Sequence, residues 1–326
     1  MISPKPALLP NRTASPETKP ALGGSWIHPL VCAELFAVAN LAFLGVDILL
    51  AHSMNAFHNP AEWYPIYFSA VASLLLLISQ ILTRLRPDPG SWPQGNLAAR
   101  RRWQWGRALG LFVGASAVVL GVVGLIYHLQ NQFFELRTIK SLVYAAPFVA
   151  PLAYTGVGLL IVLNRMVACD QPEWGWWVVT LAMFGFAGNF VLSLTDHAQN
   201  GFFHATEWIS VVAAAYATAS LVAVMIQPES RPVLRFTAWI LGGAGVVGML
   251  GAGLHLLGNF EPAELFAFSQ DLLSGKVSQL LTSQELRDRL IYGAPAFAPL
   301  LFTNLSVLGG LGLWGIVRTR AGSSVR

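Results

Sequence analysis

Histidine and carboxylate residues recur in the same order at two places in the chain. Residues 52–63 align without gaps with residues 197–208, and both stretches follow the pattern H-x2-N-x-F-x4-E-W. Neutral imidazole and carboxylate are the side chains with which proteins bind zinc, iron, copper or manganese. The repeated pattern therefore predicts a transition-metal site that is built from two similar sets of ligands.

Further titratable residues accompany each copy of this pattern. His128 and His255 follow later in each half, and an aspartate precedes each pattern in an Asn-x6-Asp spacing, at Asp47 and Asp196. Both aspartates lie in apolar stretches, where a charged side chain is costly unless it is paired or coordinated. The candidate metal ligands are Asp47, His52, His58, Glu62, His128, Asp196, His197, His204, Glu207 and His255.

Two further landmarks indicate a tandem duplication. Tyr144-x-Ala-Pro147-x2-Ala-Pro151 matches Tyr292-x-Ala-Pro295-x2-Ala-Pro299, and Gly121-Val-Val-Gly124 before His128 matches Gly245-Val-Val-Gly248 before His255. Landmarks that recur in one order are typical of an internal repeat. Each unit contains an even number of spans, so the two copies have the same orientation and a pseudo-twofold axis along the membrane normal.

The composition places these residues in a membrane protein. The chain of 326 residues is 55% hydrophobic and 11% charged, whereas a soluble domain carries about 25% charged residues. Several apolar runs approach the roughly 20 residues that cross a bilayer. We predict an all-α polytopic bundle of about eight transmembrane helices in two parallel four-helix repeats, at residues 28–52, 62–83, 108–128, 142–164, 175–196, 207–227, 236–256 and 291–317.

The distribution of basic residues predicts the orientation. With both termini inside, fifteen of the twenty lysines and arginines fall in cytoplasmic segments, six of them between residues 84 and 107. Cytoplasmic loops of membrane proteins carry such an excess. The sequence therefore predicts a multi-pass protein of a plasma membrane, most simply a bacterial inner membrane. His28 then lies inside, and the six other histidines lie on the outer face.

The predicted organisation has five parts. Residues 1–27 form a proline-rich cytoplasmic tail, residues 28–165 the first repeat and residues 172–318 the second. Residues 258–290 form an insertion in the second repeat that lies along the outer surface, and residues 319–326 form a cytoplasmic tail. Cys32 and Cys169 are predicted to be cytoplasmic, where thiols stay reduced, so no disulfide framework is expected.

Several of these residues also have plainer interpretations. Glu62 could complete a helix cap that begins at Asn59, with Pro60 at the first helical position. Trp63 and Trp208 suit interfacial anchors, as does any single histidine at a membrane boundary. Glu34 lies about two turns inside the first span, aligned with Met183 in the second repeat, and is expected to bond a neighbouring helix, with a proton or quinone role as the alternative.

Four functions remain open from the sequence. The first is a transition metal (Fe, Cu, Zn or Mn) at the outer face, in a metal-dependent redox enzyme or hydrolase. The second is a cytochrome in which paired histidines ligate haem b and exchange electrons with quinol. The third is a transporter, and the fourth is a structural subunit of a membrane complex. The lipid bilayer is the expected partner and nucleic acid is not. No P-loop, dinucleotide fingerprint, HExxH or nucleophile elbow occurs.

Overall fold

The computed structural model describes residues 28–130, 133–144, 146–260, 270, 274 and 284–323. The predicted tail 1–27, most of the insertion 258–290 and the last three residues lie outside this part. The helices run in the order α1 Pro29–Ser53, α2 Tyr64–Thr83, α3 Leu97–Gln130, α4 Phe133–Leu136, α5 Ile139–Tyr144, α6 Leu152–Met166, α7 Pro172–Gln199, α8 Trp208–Ile226, α9 Arg231–Gly258, α10 Gln284–Tyr292 and α11 Leu300–Ser323. Short 3-10 turns at Pro60–Trp63 and Ala205–Glu207 lead into α2 and α8.

Among the described residues, seven helices are long and apolar enough to cross a membrane: α1, α2 with its leading turn, α3, α7, α8 with its leading turn, α9 and α11. The remaining predicted span, the fourth, corresponds to α6, which is apolar but has only 15 residues. Within the described residues the chain contains helices and no strand. The predicted class is confirmed: the chain is an all-α polytopic membrane protein, and its outward-facing apolar residues contact the lipid bilayer.

The fourth and eighth spans begin later than the sequence predicts. We expected them to start near residues 142 and 291, but α6 begins at Leu152 and α11 at Leu300. The cause is the proline pair that precedes each helix, Pro147 with Pro151 and Pro295 with Pro299. Proline has no N–H to continue a helix and pushes the residue before it out of helical geometry. The chain makes turns through both proline pairs instead.

The neighbours of each helix follow the same order in both halves. In the first half α1 packs on α2, α2 on α3, α3 on α6, and α6 returns to α1. In the second half α7 packs on α8, α8 on α9, α9 on α11, and α11 returns to α7. The halves meet where α6 packs on α7 and α1 on α11. We call the end that carries His52, His128, His197 and His255 the histidine end, and the opposite end the arginine end.

Glycines allow the third and fourth helices of each half to touch. A Cβ at Gly121 would lie 2.8 Å from the Pro151 carbonyl oxygen, and a Cβ at Gly248 would lie 2.8 Å from that of Pro299. Each glycine precedes its histidine by seven residues. By its packing, Gly121 therefore corresponds to Gly248. The matching letters GVVG instead align Gly121 with Gly245, which is about one helical turn out of register.

Candidate functional site

Each glutamate of the repeated pattern divides its two oxygens between two tasks. Glu62 Oε1 accepts the Asn59 N–H at 3.3 Å, which caps the turn that leads into α2, while Glu62 Oε2 lies 3.2 Å from His52 Nδ1. Glu207 Oε1 accepts the His204 N–H at 3.3 Å, and Glu207 Oε2 lies 3.5 Å from His197 Nδ1. Capping and facing a histidine are therefore compatible, and these glutamates do both.

The hairpins that bring these residues together have an unusual backbone. Ala56 and Phe57 have φ of 50° and 52°, and Gly201 and Phe202 have φ of 68° and 53°. The Phe57 N–H bonds back to the His52 carbonyl. Left-handed backbone at non-glycine residues costs on the order of 1–3 kcal/mol and persists only where the surroundings enforce it.

Aromatic stacking helps to hold the backbone of each hairpin in this left-handed conformation. The Phe57 ring stacks on Trp63 with centroids 4.1 Å apart, and Phe202 stacks on Trp208 at the same 4.1 Å. Such pairs contribute about 0.5–1.5 kcal/mol beyond their burial. The phenylalanine and tryptophan of the pattern therefore hold the hairpin closed over the facing histidine and glutamate.

His128 and His255 are oriented by the proline turns. His128 Nδ1 lies 3.0 Å from the Pro147 carbonyl oxygen, and His255 Nδ1 lies 3.1 Å from that of Pro295. A carbonyl only accepts, so the proton of each neutral ring belongs on Nδ1 and the lone pair on Nε2. The His128 ring stands 6.2 Å from the His52 ring, centroid to centroid. A metal-binding histidine characteristically donates its other N–H in this way.

Three of the four facing atoms make no hydrogen bond to a described residue, and each pair meets as an ion pair. His52 Nδ1, Glu62 Oε2 and Glu207 Oε2 are buried atoms without a hydrogen-bond partner among the described residues. Two ligand atoms at about 2.0–2.2 Å from one tetrahedral ion are roughly 3.3 Å apart. The observed separations of 3.2 and 3.5 Å are those of a histidine–carboxylate ion pair and are also compatible with two donors to one cation.

The remaining candidate ligands stand apart from these pairs. Asp47 and Asp196 are half-buried, and His58 and His204 are exposed. Asp47 lies within electrostatic range of Tyr154. Of the part of the chain that the structure describes, no group of three or more His, Cys, Asp or Glu residues is placed to hold a metal ion. Ligation of a metal by the ten candidate residues stays a prediction.

A buried polar network that the sequence did not reveal lies within the first half of the bundle. Arg165 Nη1 donates to Glu34 Oε1 at 2.9 Å and Arg165 Nη2 to Glu34 Oε2 at 3.1 Å, with both residues fully buried. Asn164 Nδ2 donates to Glu34 Oε1 and Gln80 Nε2 to Glu34 Oε2. We expected Glu34 to bond a neighbouring helix. The sequence did not reveal Arg165 as the partner of Glu34, because Arg165 lies one position beyond the predicted end of the fourth span and was therefore expected in a loop.

The arginine end carries a second group of titratable residues. Burial, with Arg318 and Arg86 nearby, lowers the pKa of His28 to about 4. Burial raises the pKa of Asp88 above its ordinary range, and burial raises the pKa of the Cys169 thiol to about 12. Cys169 therefore stays protonated and lacks the thiolate character of a reactive cysteine.

Fold and site together define the class: a polytopic α-helical membrane protein with two histidine–glutamate pairs at one end of its bundle. A comparison with protein-family models finds no match, and no curated protein or solved structure is significantly similar.

Proposed function

We propose that this protein binds transition-metal ions on the non-cytoplasmic side of a bacterial inner membrane. One proposed site belongs to each of two tandem four-helix units. The first is built on His52 and Glu62 and the second on His197 and Glu207, with His128 and His255 as the third candidate ligands, which the described structure does not bring close enough to complete a three-ligand group. The observation that carries the proposal is the approach of His52 to Glu62 at 3.2 Å and of His197 to Glu207 at 3.5 Å.

The third ligand of each site supports the assignment. His128 lies within electrostatic range of His52 and Glu62, and His197 within range of Glu207 and His255. The carbonyls of Pro147 and Pro295 leave Nε2 of His128 and His255 with its lone pair available. The turns that contain Pro147 and Pro295 therefore have a role in the proposed sites, since each turn supplies the carbonyl that orients a histidine.

The donor set suggests the kind of metal and of chemistry. Two imidazoles and one carboxylate, without thiolate, suit zinc, copper(II), iron or manganese. Three protein ligands with an open fourth position are typical of catalytic sites, whereas structural sites are closed by four. We therefore favour a metal-dependent redox enzyme or hydrolase, with Asp47 and Asp196 as further candidates for ligands or proton acceptors.

The duplication rests on contacts that recur. Helix neighbours, glutamate caps, phenylalanine–tryptophan stacks and histidine–carbonyl contacts have counterparts in both halves. These counterparts support two parallel units, and the excess of basic residues in the predicted inner loops supports the proposed orientation.

Elemental analysis of protein purified without chelator tests the proposal. We expect up to two equivalents of a transition metal, and loss of both in a Glu62→Gln/Glu207→Gln variant. Glutamine keeps an oxygen for the cap but removes the negative charge that faces histidine. The matched control is His58→Gln/His204→Gln, which changes exposed histidines in the same hairpins and should retain the metal. Asp47→Asn/Asp196→Asn then shows whether the aspartates contribute.

An absorption spectrum of the same sample separates the alternatives. Haem absorbance would replace the proposal with the quinol-linked cytochrome. Neither metal nor haem, with the glutamine variant as stable as the wild type, would refute metal binding and leave the transporter and the structural subunit.

A further inference from the structure

We infer that the arginine end of the first half binds the phosphate group of an anionic membrane phospholipid. The site lies where α2 ends beside α3. Its ligands, here called the headgroup arginines, are Arg84, Arg86, Arg101 and Arg102, and Trp105 lies next to them on α3. The inference concerns a lipid, so it is independent of the metal binding proposed above.

The segment that joins α2 to α3 carries a large excess of positive charge. Residues 84–107 contain six arginines and one acidic residue, Asp88. Asp88 is buried, and neither it nor any of these arginines forms an ion pair within the described part of the chain. Basic clusters next to a membrane span attract anionic lipids. The charge of this segment therefore favours an anionic partner from outside the protein.

Two of the six arginines bond to the protein itself. Arg100 Nε donates to the Pro93 carbonyl at 3.1 Å, and Arg107 Nε donates to the Arg165 carbonyl at 3.0 Å. The headgroup arginines are the other four, and their exposed side chains make no hydrogen bond to any residue that the structure describes. A guanidinium with N–H donors to spare matches the geometry of phosphate oxygens.

Helix packing places the headgroup arginines beside one another. A Cβ at Gly106 of α3 would lie 2.7 Å from Leu82 Cβ, near the end of α2. Arg102 lies one turn before Gly106, which places it beside the residues that follow α2. Trp103 Nε1 donates to the Arg86 carbonyl at 2.9 Å, which holds that segment against the start of α3. The four arginines thus form one basic surface.

The lipid-facing side of α3 continues from this surface. Arg101, Trp105, Phe112 and Val119 follow at spacings of four, seven and seven residues, which places them on one face of the helix. Trp105 is 73% exposed, Phe112 63% and Val119 61%. An arginine, a tryptophan and then apolar residues follow the order of headgroup, interface and acyl chains in a bilayer. A phospholipid bound at Arg101 can therefore lay its chains along α3.

The corresponding segment of the second half lacks this surface. The register that pairs Gly121 with Gly248 places Pro228 and Pro232 where α3 has Arg101 and Trp105. Two exposed arginines, 231 and 235, begin α9, but the adjacent Glu229 forms an ion pair of 3.4 Å with α11. We therefore expect a single lipid site, in the first half.

Native mass spectrometry of the full chain in a neutral detergent tests the inference. The protein is titrated with phosphatidylglycerol and, separately, with phosphatidylcholine of the same acyl chains. We expect one phosphatidylglycerol to bind about tenfold more tightly than phosphatidylcholine, because only the first lipid carries a net negative charge. Arg101→Gln/Arg102→Gln should weaken the binding of phosphatidylglycerol about tenfold.

The matched control is Arg231→Gln/Arg235→Gln. It removes the same charge from exposed arginines at the same end of the second half and should leave the affinity for phosphatidylglycerol unchanged. Both variants should melt at the temperature of the wild type without added lipid, since the substituted side chains have no hydrogen bond to lose. Equal losses of affinity in the two variants would overturn the inference, as would equal binding of the two lipids by the wild type.

Fluorescence quenching locates the bound lipid. Phosphatidylglycerol with brominated acyl chains should quench tryptophan emission, and Trp105→Phe should lose part of that quenching. The same quenching in the wild type and in Trp105→Phe would overturn the site on α3. Inorganic phosphate should not displace the lipid beyond the effect of chloride at equal ionic strength. Displacement by phosphate would mean that the arginines bind a soluble anion, and would overturn the lipid assignment.

Discussion

Buried polar residues determine the behaviour of this protein at the scale of single side chains. Glu34 accepts hydrogen bonds from three side chains and Trp174 Nε1 donates to Asn164 at 3.0 Å, so the group also reaches the first helix of the second half. In a medium without water every such donor must find a partner within the protein. The network therefore specifies how the first four spans and α7 fit together.

Substitutions at Glu34 and Arg165 should show strong coupling. Glu34→Met leaves the Arg165 guanidinium buried without its carboxylate, and we expect a loss of about 3–5 kcal/mol in the free energy of unfolding. Glu34→Met/Arg165→Leu installs the residues of the second half and should recover at least half of that loss. Unfolding in mixed detergent micelles measures both. A double variant as unstable as Glu34→Met alone would contradict the coupling.

His28 should make stability depend on pH. Its Nδ1 accepts the Leu30 N–H at 3.3 Å, which requires an unprotonated ring. Because its pKa is lowered from 6.5 to about 4, the folded protein binds fewer protons than the unfolded chain between these values. The contribution of neutral His28 to the free energy of unfolding is complete above pH 6.5 and is lost as the pH falls toward 4.

Thermal unfolding between pH 7 and pH 4 tests whether stability falls as the pH falls. The melting temperature of the wild type should fall more steeply than that of His28→Asn, which keeps a capping oxygen but does not titrate. Parallel pH profiles for the two proteins would exclude His28 as the cause.

At the scale of helices, small residues decide which elements can touch. Gly121 and Gly248 let the third helix of each half approach the turn before the fourth, and that turn supplies the carbonyl that orients the histidine. The position of His128 and His255 therefore depends on glycines two turns earlier in the same helix.

Alanine substitutions should distinguish glycines that pack against a neighbouring segment from glycines with open surroundings. The first kind of substitution should lower the stability of the protein, and the second should raise it. Gly121→Ala places a Cβ against Thr155 and the Pro151 carbonyl, and we expect it to destabilise the protein by about 1–3 kcal/mol. Gly253→Ala meets nothing within 4 Å and should stabilise α9 by up to about 0.5–1 kcal/mol, since alanine favours helices. Thermal unfolding in detergent compares them, and a destabilising Gly253→Ala would contradict the packing at that position.

The elements also show how far the sequence determines the structure. Hydropathy located the long helices because lipid excludes polar groups along the whole length of a span, so each span is apolar throughout. It misplaced the start of α6, since the proline turn lies within an apolar run and a window average does not register it. The repeated pattern predicted that Glu62 and Glu207 share one environment. The pairing of Glu34 with Arg165, 131 residues apart, follows only from how the helices pack.

At the scale of the whole molecule, the helices of the two halves pack on one another in the same order. The first half contains the buried Glu34–Arg165 ion pair, whereas the aligned positions in the second half are the apolar Met183 and Leu313. The histidine end is held by the same kinds of contact in both halves, namely the phenylalanine–tryptophan stacks and the histidine–carbonyl contacts.

Orientation in the membrane is the prediction that belongs to this scale. Fusion reporters at Gly95, in the loop before α3, and at Asn200, in the hairpin after α7, should report opposite sides, with Gly95 cytoplasmic. Gly95 has φ of 85° and open surroundings, so an insertion there should be tolerated. We expect this side because six arginines lie between residues 84 and 107, and basic loops resist translocation. Neutralising Arg137 and Lys140, near the histidine end, should leave both signals unchanged. A cytoplasmic signal at Asn200 would place the histidine–glutamate pairs inside the cell and refute an outward-facing metal site.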